Sequence, residues 1–320
     1  MPNYEEKVYD FTKDTPGKYL LSNKYLVSLI LYGVISKDLG GLTLSEIFDM
    51  LPSSEEDDNY VETLSKEFGG FESKLTERDI IFKLDVNISS LSKVLNINLE
   101  LERSIQDGYD LVNRALIYAC QNLLSTTQGK NYDDINKTYS IWICMKNHIT
   151  QKEPVKDENS PFSFIHKYCM GKKEDNSDNI TYNKRVDKIN LVFIELGEIV
   201  KNKENFIELD SENDDIKMLI EYLSILFREQ TKSELDTTIS ELSQSFEGKE
   251  LTCKGVGGMT SRLYTIAELE DAKLQAEENA VRAEEDKKIL RLLVSGKSME
   301  EVSIKKNVSE EYIKSLLEDK

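Results

Sequence analysis

Apolar and polar residues alternate along two neighbouring stretches of the chain. From Phe82 to Ile88, apolar Phe82, Leu84, Val86 and Ile88 alternate with Lys83, Asp85 and Asn87. From Leu95 to Glu102, apolar Leu95, Ile97, Leu99 and Leu101 alternate with Asn96, Asn98, Glu100 and Glu102. A period of two marks strands with one buried face. The link SSLSK, residues 89–93, is short enough for an antiparallel hairpin. A turn centred on Ser92 and Lys93 sets Leu84 against Leu101, Val86 against Leu99 and Asp85 against Glu100. Opposed residues have Cβ atoms about 4.5–5.5 Å apart, and carboxylates that close repel unless a cation or a proton intervenes. The polar row therefore fits a divalent-metal site or the solvated face of a hairpin.

Helical spacing predicts a helix over residues 19–35 and a second over 42–51. In the second, Thr43 at the N-cap and Glu46 three residues on make a capping box. An acidic loop follows at 52–59, and residues 71–77 form a possible extra strand leading into the hairpin. A helix over 110–125, with Arg114 four residues before Tyr118, precedes a buried strand at 140–145. INLVFIEL, residues 189–196, reads as a further strand, added to the sheet or packed on its edge. From Asp214 the chain is helical. The GVGGM stretch at 255–259 lacks a P-loop's lysine and serves as a flexible linker. Residues 265–292 form a long helix dense in opposite charges. Two short helices capped by Ser298 and Ser309 have a helix-turn-helix shape. The second begins EEYIKSLLED and offers a DNA groove little positive charge, so docking or homo-oligomerisation suits these C-terminal helices better.

Hydrophobic residues make up 39% of the 320, including 15 Tyr and 11 Phe, enough for a real core. The formal charge of −18 fits DNA binding poorly, because phosphate-tracking surfaces are usually basic. The four cysteines are scattered with no CxxC pair, which suggests a reduced, cytoplasmic protein. No apolar run is long enough to span a membrane, so no membrane association is expected. With only two His, a zinc site at His166 and Cys169 or a Ser-His-Asp arrangement has little to draw on.

The stretch from Ile97 to Met145, ending in YDDINKTYSIWICM, resembles the PD-(D/E)XK nuclease family of transposase-associated proteins, the recombination-promoting nucleases. The strong part of the similarity covers about residues 79–145. It implies an α/β, restriction-endonuclease-like mixed sheet flanked by helices, with a mostly helical C-terminal region. The implied division is a nuclease-like domain at 1–200, a helical extension at 201–258 and a charged helix with a small tail at 259–320. Asp85 matches the first acidic position, Glu100 the second, and Arg114 and Tyr118 the helix. Glu102 stands where the superfamily has Lys and this branch has Gln; an ionised carboxylate cannot donate a hydrogen bond but can accept a proton. Many members take an acidic residue from an early helix, which makes Glu46 a candidate beside its capping role.

The resemblance implies a DNA endonuclease in which Asp85 and Glu100 hold Mg²⁺ or Mn²⁺, Glu102 acts as base or further ligand, and Arg114, Tyr118 and Glu46 support the site. The alternative is a catalytically degenerate relative kept as a binding, regulatory or scaffold protein, motivated by Glu102 and the acidic surface.

Overall fold

The computed structural model describes residues 8–10, 14–55, 58, 60–64, 67–69, 75–77, 79–88, 91–103, 110–127, 135–149, 165–173, 180–182, 187–197, 219–220, 223–224, 226–227, 229–231, 233–235, 237 and 256–318. Its strands are β1 (Val8–Asp10), β2 (Glu67–Gly69), β3 (Leu75–Glu77), β4 (Ile80–Ile88), β5 (Leu91–Glu102), β6 (Lys137–Cys144), β7 (Ile165–Cys169), β8 (Gly171–Lys173), β9 (Ile180–Tyr182), β10 (Ile189–Glu195) and β11 (Glu229–Thr231). Its longer helices are α1 (Asp14–Leu21), α2 (Lys24–Ile35), α3 (Leu44–Met50), α4 (Leu111–Thr127), α5 (Val256–Val294), α6 (Met299–Lys306) and α7 (Glu310–Glu318).

The centre is a five-stranded mixed sheet in the order β4-β5-β6-β10-β7. β4 and β5 are antiparallel, β6 runs parallel to both β5 and β10, and β7 closes the far edge antiparallel to β10. Parallel neighbours cannot be joined by a tight turn, and α4 makes the crossover from β5 to β6. β10 is an interior strand, not an edge, which explains its unbroken apolar run from Leu191 to Ile194.

One face of the sheet carries Leu95, Ile97, Leu99, Tyr139, Ile141, Val192 and Ile194, all buried. α2 and the turn after it lie over this face. Lys167 donates its ammonium to the Val34 carbonyl, and the Tyr139 hydroxyl reaches Asp38 at 3.4 Å. The other face packs Trp142, Cys144, Leu191 and Phe193 against Leu111, Ala115, Tyr118 and Ala119 of α4. α4 starts at Asp110, whose carboxylate accepts from the N–H groups of Val112 (3.0 Å) and Asn113 (3.3 Å).

The polar row of β5 was expected to face solvent or a metal, yet α4 covers it and Asn96 and Asn98 are buried. Their amides donate to Thr138 Oγ1 and Ser140 Oγ on β6, both at 3.3 Å. Alternation reports two chemically different faces, and a polar face can be buried when its groups bond one another.

By internal packing the chain divides into two units, Met1–Tyr264 and Thr265–Lys320. The division falls within α5. The expected extension at 201–258 lies mostly outside the described residues. The expected linker at 255–259 is instead the first turn of α5 from Val256 onward; glycine is tolerated there because a terminal turn has few intrahelical bonds to support. In the second unit, Ile289, Val302 and Ile313 form a small core between the end of α5, α6 and α7. Gly296 (φ 89°) and Asn307 (φ 53°) supply the left-handed residues that end α5 and α6. No described helix is long and apolar enough to cross a membrane.

Phe193 sits fully buried between β6, β7 and α4. Phe193→Ala should cost about 3–5 kcal/mol in urea unfolding, as aromatic truncations in closed cores do. A loss below about 1 kcal/mol would contradict this packing.

Candidate active site at the carboxyl end of β5

The β4–β5 pairing decides which carboxylates meet. Ile88 pairs with Leu91, so the link is only residues 89 and 90. From there the ladder runs through Asp85 with Val94 and Leu84 with Leu95 to Ile80 with Leu99. The expected turn at Ser92 and Lys93 is therefore corrected, and with it the pairing of Asp85 with Glu100. Asp85 is exposed and its partner lies six residues before Glu100, about 20 Å along the strand at roughly 3.3 Å per residue. Registers that differ by an even number of residues keep the same faces together, so alternation could not separate the two.

One step beyond the Ile80–Leu99 pair, Asp79 comes level with Glu100. Its Oδ2 accepts the Leu101 N–H at 2.8 Å, which ties the carboxylate to β5 between Glu100 and Glu102. The Lys18 ammonium of α1 stands 3.5 Å from Asp79 Oδ1, with both side chains largely shielded. Glu100 is buried at 3% exposure and Glu102 at 8%. The structure thus gathers Asp79, Glu100 and Glu102 at the end of β5 and leaves Asp85 outside.

Glu102 is held by Arg114, whose Nη1 lies 2.8 Å from Glu102 Oε2. The guanidinium stacks over Trp142 and Tyr118, 5.1 and 5.3 Å from the ring centroids, and donates to the Tyr118 hydroxyl at 3.4 Å. Burial works against its charge. The hydrogen bond to Tyr118, the Tyr118 oxygen and the carboxylates of Glu102 and Glu100 outweigh that and raise its pKa. Arg114 and Tyr118 therefore do meet the acidic residues of β5. Glu46 turns back on its own helix, where its carboxylate accepts from the Thr43 N–H and hydroxyl, both at 2.8 Å. Those two bonds hold its pKa below the usual range, the state expected of a capping residue.

Glu102, Cys144 and Glu195 end three neighbouring parallel strands in one register row. Glu195 is fully buried; it accepts from the Ile149 N–H and lies 3.1 Å from His166 Nε2. Gly197 keeps room for that loop, since a Cβ there would come within 2.8 Å of Lys146 Cα. Burial first, then the carboxylates of Glu195 and Glu102, push the Cys144 thiol well above its ordinary pKa. His166 faces Glu195, and Cys169 is exposed.

Among the described residues no group of three or more His, Cys, Asp or Glu side chains is arranged to hold a metal ion. No protein-family profile matches the chain, and no curated protein or solved structure is significantly similar to it.

Sequence reasoning missed Asp79 and Lys18. A two-residue Ser89–Ser90 link would have put Asp79 level with Glu100. Nothing near Lys18 points to β5, because α1 reaches the site only through tertiary packing.

Two outcomes follow. Arg114→Met strands Glu102 with less than its full complement, and should cost about 2–4 kcal/mol in denaturant unfolding, while Glu102→Gln should cost less. Because a raised pKa lowers the thiolate fraction, Cys144 should stay unmodified by a disulfide reagent at about pH 8 while exposed Cys169 reacts. Fast labelling of Cys144 in folded protein would contradict its burial.

Proposed function

We propose that this chain is a divalent-cation-dependent DNA endonuclease with a restriction-endonuclease-like core, and that its chemistry belongs to the carboxyl end of β5. The observation that carries the reading is the Asp79 carboxylate, fixed by the Leu101 N–H beside buried Glu100. Two hard carboxylate donors suit Mg²⁺ or Mn²⁺. Mg²⁺ commonly takes one or two protein carboxylates and completes its shell with water and substrate phosphate, so a larger protein cage is not required. Asp79 and Glu100 would hold the cation, which would polarise the phosphodiester and lower the pKa of the attacking water. This assigns to Asp79 the part first given to Asp85.

The chain's own residues supply the rest. Glu102, kept in one orientation by Arg114, is a proton acceptor at the same strand end. Arg114 in turn is pinned by Trp142 and Tyr118, so it orients Glu102 with little freedom of its own. Arg103 and Lys146, exposed just past β5 and β6, add positive charge at the edge where a phosphate backbone would lie. They are few against a net charge of −18, so DNA binding should be weak and fall steeply with added salt.

A second reading, a binding protein that has lost its chemistry, draws on the Glu102–Arg114 ion pair. That pair neutralises the position where a nuclease frame usually presents Lys or Gln. In either case self-association would run through the second unit, where Val281, Val294, Ile304 and Leu317 are exposed.

The test is cleavage of supercoiled DNA with Mg²⁺ or Mn²⁺. Asp79→Asn and Glu100→Ala should each slow cutting at least about 100-fold, while Asp85→Asn should cut like the parent. Equal activity in Glu100→Ala would overturn the site; no cutting by folded parent protein with either metal would leave the binding reading.

A further inference from the structure

Within the second unit, much of α5 has nothing packed against it. Every residue from Ala272 to Glu285 is exposed, and the small core around Ile289 takes only the last turns of the helix. One row nevertheless runs the length of this stretch. Leu269, Ala272, Ala276, Ala280 and Ala283 lead on to Lys287, Arg291 and Val294 at steps of 3, 4, 4, 3, 4, 4 and 3. Such a pattern repeats every 11 residues, close to the pitch of the helix, so the row stays on one side. At about 100° per residue Ile289 lies on the opposite side. The two large apolar side chains at the ends of the row, Leu269 and Val294, are 66% and 89% exposed. The charges are divided as well. The first part of the stretch carries Glu268, Asp271, Glu277 and Glu278 against Lys273. In the last part the acids are engaged inside the unit: Lys288 lies 3.6 Å from Glu284 and 2.8 Å from Glu285, Lys306 lies 3.0 Å from Glu285, and the Tyr312 hydroxyl donates to Asp286 at 2.7 Å. Arg282, Lys287 and Arg291 remain as its outward charges, so this end is basic.

We propose that this face of α5 pairs antiparallel with the same face of a second copy of the chain. The steps of the row read the same from either end, as a two-fold pairing requires, where residue i meets j and j meets i. Leu269 of one copy then meets Val294 of the other, Ala272 meets Arg291, Ala276 meets Lys287 and Ala280 meets Ala283. Alanines let two helices approach closely, and the aliphatic stems of Lys287 and Arg291 fill the room above Ala276 and Ala272 while their charged heads reach the acidic half of the other helix. A parallel pair would set Lys287 on Lys287 and Arg291 on Arg291, and acidic half on acidic half, which like-charge repulsion disfavours. The contact runs from Leu269 to Val294, roughly 37 Å of helix at 1.5 Å per residue. It gives the self-association of the second unit a surface and an order, and it does not depend on the nuclease reading.

The experiment is sedimentation equilibrium of the full chain over a range of concentrations, beside two variants whose folding is checked by circular dichroism. All the substituted side chains are exposed, so neither variant disturbs the small core. The parent should sediment as a dimer. The double variant Lys287→Glu with Arg291→Glu turns both basic positions against the acidic half of the other copy, and should raise the dissociation constant at least about tenfold. Ala276→Glu separates the two orders of pairing. In the antiparallel pair the new carboxylate faces Lys287 and the dimer should be at least as tight as the parent; in a parallel pair it faces its own copy and the dimer loosens. A parent that stays monomeric at every concentration would overturn the proposal and leave the face to a different protein. A dimer as tight in the double variant as in the parent would overturn the surface, and a looser dimer in Ala276→Glu would overturn the antiparallel order.

Discussion

The two-residue closure of the β4–β5 hairpin governs the rest of this site. Once Ile88 is set against Leu91, every later pair follows, and the far end of the ladder delivers Asp79 to the level of Glu100. A shift of register by two residues would keep all apolar side chains on their own face and still carry Asp79 about 6–7 Å away. Burial alone therefore does not choose the register. The pairing of Ile88 with Leu91 does, and the parallel pairing of β5 with β6 carries the choice on to Trp142, Cys144 and the helix above them.

Along the carboxyl ends of β5, β6 and β10 the fold brings several carboxylates close together, and burying a charge costs free energy unless it is paired, so three of them have a partner of their own. Glu102 has Arg114, Asp79 has the Leu101 N–H and Lys18, and Glu195 has the Ile149 N–H and His166. Aromatic rings of Trp142 and Tyr118 hold the arginine, and the same Trp142 donates to Ser140 in the polar ladder beneath α4. Site and core are thus continuous. Asn96 and Asn98 join β5 to β6 by side-chain bonds, and that pairing also sets where Glu100 and Glu102 end.

Local patterns made β4, β5, β6 and β10, the capping box at Thr43 and the two short C-terminal helices legible, because each depends on residues a few positions apart. Arg114 was expected to support the acidic residues of β5, and it pairs with Glu102. Three features were not legible. The hairpin register is degenerate under alternation, so Asp85 took the place of Asp79. The burial of Asn96 and Asn98 depends on α4 lying above them. Lys18 reaches Asp79 only through tertiary packing, which no spacing rule covers.

The most direct test of the central claim, that Asp79 and Glu100 form one cation-binding carboxylate pair, is the position of Mn²⁺ in an anomalous difference map from crystals grown with that ion. A peak bound by both side chains at the end of β5 is the expected result. A peak at Asp85, or none at Asp79 and Glu100 in crystals soaked to saturation, would contradict it.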